Sequence, residues 1–163
     1  MGYTSGVGGP KVRAIALALV ESTERPAILV SEGYDSVLGA PFHRLLGGGI
    51  EPGERAADTV RRELAEEIGV AVRVGERLAT IESIFTYEGR PGHEVVLVYE
   101  AELVDPALYA CERFEGIESD PVHAVWHPLD GPGSELPVYP PGALSLVGRA
   151  RRRGGGPVVG GSG

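Results

Sequence analysis

Cysteine is nearly absent from this chain of 163 residues, where Cys111 stands alone. That excludes an internal disulfide framework and a multi-cysteine zinc site, and it agrees with a reducing compartment. Long apolar runs are missing too. No segment approaches the ~18 consecutive apolar residues of a membrane span, and the opening MGYTSGVGGPK lacks the apolar stretch of a signal peptide. A cytoplasmic protein with no membrane partner is the expectation. Positive charge is in deficit, with 15 Lys and Arg against 23 Asp and Glu, a net charge of −8. Sequence-independent binding of nucleic acid needs a basic face, so nucleic acid is not an expected partner. Small phosphorylated ligands stay open if a metal supplies the missing positive charge. Hydrophobic residues at 42 % and charged ones at 23 % are ordinary for a globular chain, and the length suits one domain.

Glycine is unevenly spread. Residues 1–10 are rich in Gly and Ser, and GGGPVVGGSG closes the chain, so residues 1–10 and 151–163 are expected to be flexible around one domain at 11–150. Within it, VRAIALALV (residues 12–20) and AILV (27–30) read as buried strands. Ala57, Val60, Leu64 and Ile68 recur at helical spacing, and Gly69 follows where a helix cap belongs. These predict a helix from about residue 55 to 68. LATIESIFTY (78–87) and HEVVLVYEAEL (93–103) read as strands paired across the turn EGRPG, and VHAVWHPL (122–129) as a further strand. ALSLVGRARRR suggests a last helix after the prolines at 140 and 141. Strands and helices in this order, without regular βαβ alternation, favour an α+β fold with a mixed sheet over a doubly wound parallel one. Trp126 is expected in the core. His43, His93, His123 and His127 have no spacing that marks them as ligands.

The residues that carry chemistry lie in GGGIEPGERAADTVRRELAEEIGV, residues 47–70. Glu63, Glu66 and Glu67 crowd adjacent turns of one helix, although like charges three and four apart cost about 0.2–0.5 kcal/mol per pair. A cation offsets that cost. Carboxylates on one side of a helix, with Leu64 and Ile68 pointing elsewhere, form an open shelf of hard oxygen ligands, the kind preferred by magnesium and manganese. Glu54 stands at the helix start, where a negative side chain can satisfy free amides and complement the dipole. Arg62 is positioned to pair with a neighbouring carboxylate. Gly47, Gly48 and Gly49 let main-chain groups approach a ligand or ion closely.

Gly48, five residues, Glu54, seven residues, Arg62, Glu63, Leu64, one residue, Glu66, Glu67, one residue, Gly69 and Val70 together resemble the Nudix box without a gap. Seven fixed positions at roughly 7 % each make a chance match on the order of 10⁻⁶, so the resemblance outweighs the reading as a merely solvated acidic face. It extends over about residues 11–150, WHPLD included, and departs at Leu46, where many members have proline. It implies an αβα sandwich around a mixed sheet and an enzyme that cleaves a nucleoside diphosphate linked to a moiety X. In that enzyme water attacks phosphorus, assisted by Mg2+ or Mn2+. Carried over by position, Glu63 and Glu67 are the main metal ligands, Glu66 supports them, and the Gly47 carbonyl is a further ligand. Glu54 sits at the edge of the metal site and Arg62 orients Glu63. The general base is expected to be Glu63, or as second choice Glu118 in FEGIESD. Since many members dimerise, a homodimer is also implied.

The identity of X is hardly written in the sequence. Motifs associated with coenzyme A and NADH pyrophosphatases are not visible, nor is the proline that ADP-ribose pyrophosphatases carry about sixteen residues past the box. Tyr87, 17 residues after Val70, resembles the dinucleoside polyphosphate branch. Phe85 and Tyr87 are candidate stacking residues for a base, with Gly48 and Gly49 as backbone contacts to the substrate. Two other readings compete with the hydrolase. A sensor that binds a nucleotide without cleaving it is disfavoured by the intact box. An isoprenoid diphosphate isomerase is disfavoured by the lone cysteine.

Overall fold

The structure is a computed structural model that describes residues 10–117 and 123–149. One eight-stranded mixed sheet organises it, in the order β4-β5-β1-β3-β2-β7-β6, with β8 pairing β3 off this path. The strands are β1 (Arg13–Leu19), β2 (Ala27–Asp35), β3 (Ala40–Gly49), β4 (Val72–Tyr87), β5 (Arg90–Leu103), β6 (Arg113–Phe114), β7 (Ala124–Pro128) and β8 (Val138–Tyr139). Among the described residues one full α-helix, α1 (Ala56–Ile68), lies between β3 and β4, and short 3₁₀ turns occupy Pro106–Ala110 and Ala143–Leu146. β1 and β5 run parallel, while β1 and β3, β2 and β3, and β4 and β5 are antiparallel. The α+β class and mixed sheet are as expected.

After Arg13, β1 is apolar, and from Ile15 to Leu19 both of its faces are covered, as a central strand's must be. Ala16 and Ala18 turn toward Val60, Leu64 and Ile68 of α1 and join them in one core cluster. Ile15, Leu17 and Leu19 turn the other way, into a second cluster with Leu45, Val96, Ala143 and Leu146. The sandwich therefore has α1 as one outer layer. Among the described residues the other outer layer is the 3₁₀ turn at Ala143–Leu146, where a helix was expected. Residues 150–153 of that expected helix lie outside the described residues, as do residues 1–9 and 151–163 of the two expected flexible ends.

The glycines at 47–49 lie in a strand despite a composition that disfavours one. They are the last three residues of β3, and Gly49, Gly48 and Gly47 pair with Ile15, Ala16 and Leu17 of β1. β3 reaches this place by changing partner, since its residues 40–45 pair with β2 and its residues 46–49 with β1. Glycine suits the second half because other backbone and side chains approach it closely. The turn expected within EGRPG is the tight pair Glu88 and Gly89, both at positive φ (51° and 72°), as a two-residue hairpin of this twist requires.

Candidate active site

α1 starts directly after the loop that leaves β3. Its N-cap, Arg55, makes no side-chain cap, and its C-cap, Gly69, adopts the left-handed conformation (φ 68°, ψ 24°) with its N–H bonded to the Ala65 carbonyl. Glycine holds this conformation without the Cβ penalty, and that is why the helix stops there. The buried face carries Val60, Leu64 and Ile68, and the acids lie off that face, Glu63 and Glu67 partly covered and Glu66 exposed.

Glu54 corrects one expectation. It does not cap the helix amides. Its carboxylate instead accepts from Thr59 Oγ1 (2.6 Å), Arg62 Nε (2.7 Å) and Arg62 Nη2 (2.9 Å). These bonds, Arg62 first and Thr59 next, hold the Glu54 carboxyl down at about 2, well below its ordinary 4.5. The same contacts raise the Arg62 guanidinium above its ordinary value, Glu54 again first among the causes.

Arg62 is the hub. Besides the two-pronged grip on Glu54 it donates Nη1 to Glu63 Oε1 (3.1 Å) and to Glu66 Oε2 (3.2 Å), and Nη2 to the Gly49 carbonyl (3.1 Å). One guanidinium thus ties the end of β3, the connecting loop and two of the helix acids together, using the planar donor fork that lysine lacks. Glu63 is mostly covered (17 % exposed) while Glu66 is open (48 %). The reason Glu63 can lie so deep is Gly48. A Cβ on Gly48 would stand 2.4 Å from Glu63 Cδ, so the carboxylate occupies the space of the missing side chain. Gly47 faces the opposite way, with φ +142° and room for a Cβ only 2.1 Å from the Ala16 carbonyl oxygen. The carbonyl that Arg62 engages is Gly49's.

Among the described residues no three His, Cys, Asp or Glu side chains are gathered into a ready cage for a metal ion. The donor set nevertheless fits a hard divalent cation, because Glu63, Glu66 and Glu67 offer carboxylate oxygens on one helix side. An ion that keeps several waters and shares a substrate phosphate needs only one or two protein carboxylates.

Beyond the shelf the surface turns aromatic. Arg13 comes within 3.5 Å of where a Gly49 Cβ would be, and it shares the buried Glu94 with Arg44 (3.7 and 3.4 Å). Two residues before Arg44 on β3, Phe42 meets Tyr87 and Tyr139 edge to face, with ring centroids at 5.8 and 5.6 Å. Tyr87 is half-exposed in an aromatic group, whereas the tip of the Phe85 ring lies at Gly92, whose Cβ would come within 2.3 Å of it. Sequence reasoning missed Phe42, Arg44 and Glu94. The β2–β3 hairpin, absent from the sequence reading, could have pointed to Phe42 and Arg44, whereas Glu94 stands in β5, a strand the sequence did predict. Trp126 is in the core as expected, its indole N–H donating to the Cys111 carbonyl at 2.7 Å. Glu118 lies outside the described residues.

The fold and the shelf define an α+β sandwich with an arginine-clamped row of carboxylates at a strand-to-helix corner. The NUDIX domain family model matches residues 10–143, and the chain belongs to the Nudix family, whose enzymes are the Nudix hydrolases. Similar folds include a MutT NUDIX hydrolase from Burkholderia pseudomallei (24 % identity, 84 % of this chain and 98 % of that one, TM-score 0.61). A NUDIX hydrolase from Nitrosomonas europaea is similar at 15 % identity (88 % and 90 % covered, TM-score 0.60). So is an ADP-ribose pyrophosphatase from Streptococcus suis at 16 % identity (87 % and 93 % covered, TM-score 0.58). No helix among the described residues is long and apolar enough to cross a membrane.

Proposed function

We propose that this chain is a divalent-metal-dependent pyrophosphohydrolase acting in the cytoplasm on a nucleoside diphosphate linked to a further group, as a homodimer in keeping with its family. Glu63, Glu66 and Glu67 would hold Mg2+ or Mn2+, with the Gly47 carbonyl as a further ligand. The observation that carries this reading is the Arg62 hub, which fixes Glu63 and Glu66 against Gly49 and Glu54 before any substrate arrives. A divalent ion bound there would neutralise diphosphate charge and lower the pKa of the attacking water. The protein's own part is positioning. Glu54 holds Arg62, Arg62 holds Glu63, and Gly48 leaves the space that Glu63 fills. Gly48 and Gly49 present backbone to the substrate, and Tyr87 and Phe85 offer ring faces to a base.

Glu63 is the first choice as general base, taking the proton of the attacking water as the bridging P–O bond breaks. Glu118 is the second. In its support, the amide of Ile117 just before it donates to the Glu67 carbonyl at 3.1 Å. Comparing Glu63→Gln with Glu118→Gln decides between them. A collapse of rate with Glu118→Gln and little loss with Glu63→Gln overturns the first choice.

The reading itself is tested by manganese titration together with product analysis by phosphorus NMR. Wild type should bind manganese, release nucleoside monophosphate and lose turnover on chelation, and Glu63→Gln should bind manganese about 10–100-fold more weakly. Nucleotide binding without turnover would favour the sensor.

A further inference from the structure

Two histidines that the proposed chemistry does not use lie against each other on the far face of the sheet. His43 of β3 and His127 of β7 bring their Nδ1 atoms to 2.9 Å, rings edge to face at 88°. His127 is fully buried and His43 is 8 % exposed. Since both nitrogens are of the same kind, one must carry the proton and the other accept it. His127 Nε2 is also buried and has no hydrogen-bond partner. A first extra proton must go to an Nε2, and on His127 that nitrogen has nothing to share it with. A second puts hydrogen on both Nδ1 atoms and abolishes the bond. The pair therefore tolerates the neutral state and resists full charging.

The chain that lies over this pair is the segment of residues 129–147. The His43 main-chain N–H donates to the Pro137 carbonyl at 2.8 Å, and Val138 of β8 stands opposite His43. Leu129, Val138, Ala143, Leu146 and Val147 pack into the core cluster on the same side. Tyr139, next after Val138, is the ring that meets Phe42 in the aromatic group. The pair sits where the segment is fastened, one residue from its contact with the candidate substrate mouth.

We propose that His43 and His127 form a proton-operated latch: while they share one proton the segment of residues 129–147 stays seated, and full protonation in acid releases it and withdraws Tyr139 from Phe42. The charged groups facing the pair are Glu32, opposite His43 on β2, and Glu135 in the loop before β8, and both attract protons to it. Arg44 and Tyr139, opposite one another on β3 and β8, turn toward Glu94 and Phe42 instead. His123, just before β7, is engaged by Glu115, and the 3₁₀ turn at Ala143–Leu146 carries no titratable side chain. Burial is the largest influence on both rings and holds them below the ordinary 6.5, with the neighbouring imidazole adding to the effect on His127. The released form thus binds more protons. Seating is fully favoured above about pH 6.5 and weakens as pH falls below it.

The test is a titration of the full chain by NMR from about pH 8 to about pH 5, following the imidazoles together with the amides of residues 138–146 and of α1. The expected result is that both rings and the 138–146 amides move in one transition below the ordinary imidazole range while the α1 amides stay put. In His127→Phe the 138–146 transition should vanish. Rings that titrate at the ordinary value without the segment, a segment that moves together with α1, or a His127→Phe that keeps the transition would each overturn the latch. Should His127→Phe not fold, the coupling of rings and segment in wild type decides alone.

Discussion

The carboxylate of Glu63 lies in the space where a side chain of Gly48 would be, 2.4 Å from an ideal Cβ at that position. A methyl group there pushes away the end of a flexible side chain rather than backbone, so Gly48→Ala should fold normally and still displace Glu63. A displacement of about 1 Å at a reacting centre costs about 10²-fold. Gly48→Ala should therefore lose about 10²-fold in kcat/KM with an unchanged melting temperature, as measured by steady-state kinetics beside thermal unfolding.

Gly47 should behave in the opposite way. Its φ of +142° and the Ala16 carbonyl 2.1 Å from its Cβ position put the conflict on backbone. Gly47→Ala should destabilise the fold by at least the about 1–3 kcal/mol of a strained backbone position, read as a lower denaturation midpoint.

Replacing Arg62 with lysine keeps the charge and removes the fork. Lysine cannot reach Glu54, Glu63, Glu66 and the Gly49 carbonyl at once, as the guanidinium does. Arg62→Lys should weaken metal binding and activity by about 10–100-fold. Manganese titration checks this, and near-wild-type binding would mean that the clamp is not needed.

Acid should act on the same clamp. The Glu54 carboxyl, held at about 2 against an ordinary 4.5, is ionised in the fold where the unfolded chain takes up a proton. Its stabilising effect is complete above about pH 4.5 and is lost as pH falls toward about 2. Unfolding midpoints measured across that window should fall more steeply for wild type than for Glu54→Gln.

The helix was legible in the sequence because its apolar spacing, its closing Gly69 and its acids all point the same way. The hairpins around it were legible only in part. Alternation revealed β5, but β3 ends in three glycines, which strands disfavour, and nothing local says that β1 and Glu63 press on them. Glu54 was assigned to the helix amides because its position at the helix start suggests a cap, whereas the contact that wins is with Arg62, eight residues on. Phe42, Arg44 and the His43–His127 pair depend on which strands become neighbours, and that information lies in tertiary packing rather than in spacing.

The central claim is that the acids of α1 hold a metal against a diphosphate. Its most direct test is a hydrolysis screen of nucleoside triphosphates, ADP-ribose, sugar nucleotides and dinucleoside polyphosphates with magnesium or manganese, with Glu67→Gln run alongside. Turnover of one substrate class that disappears in Glu67→Gln is the expected result, and it would also name the group X. Turnover that persists undiminished in Glu67→Gln, or none at all from a wild type that still binds the metal, would contradict it.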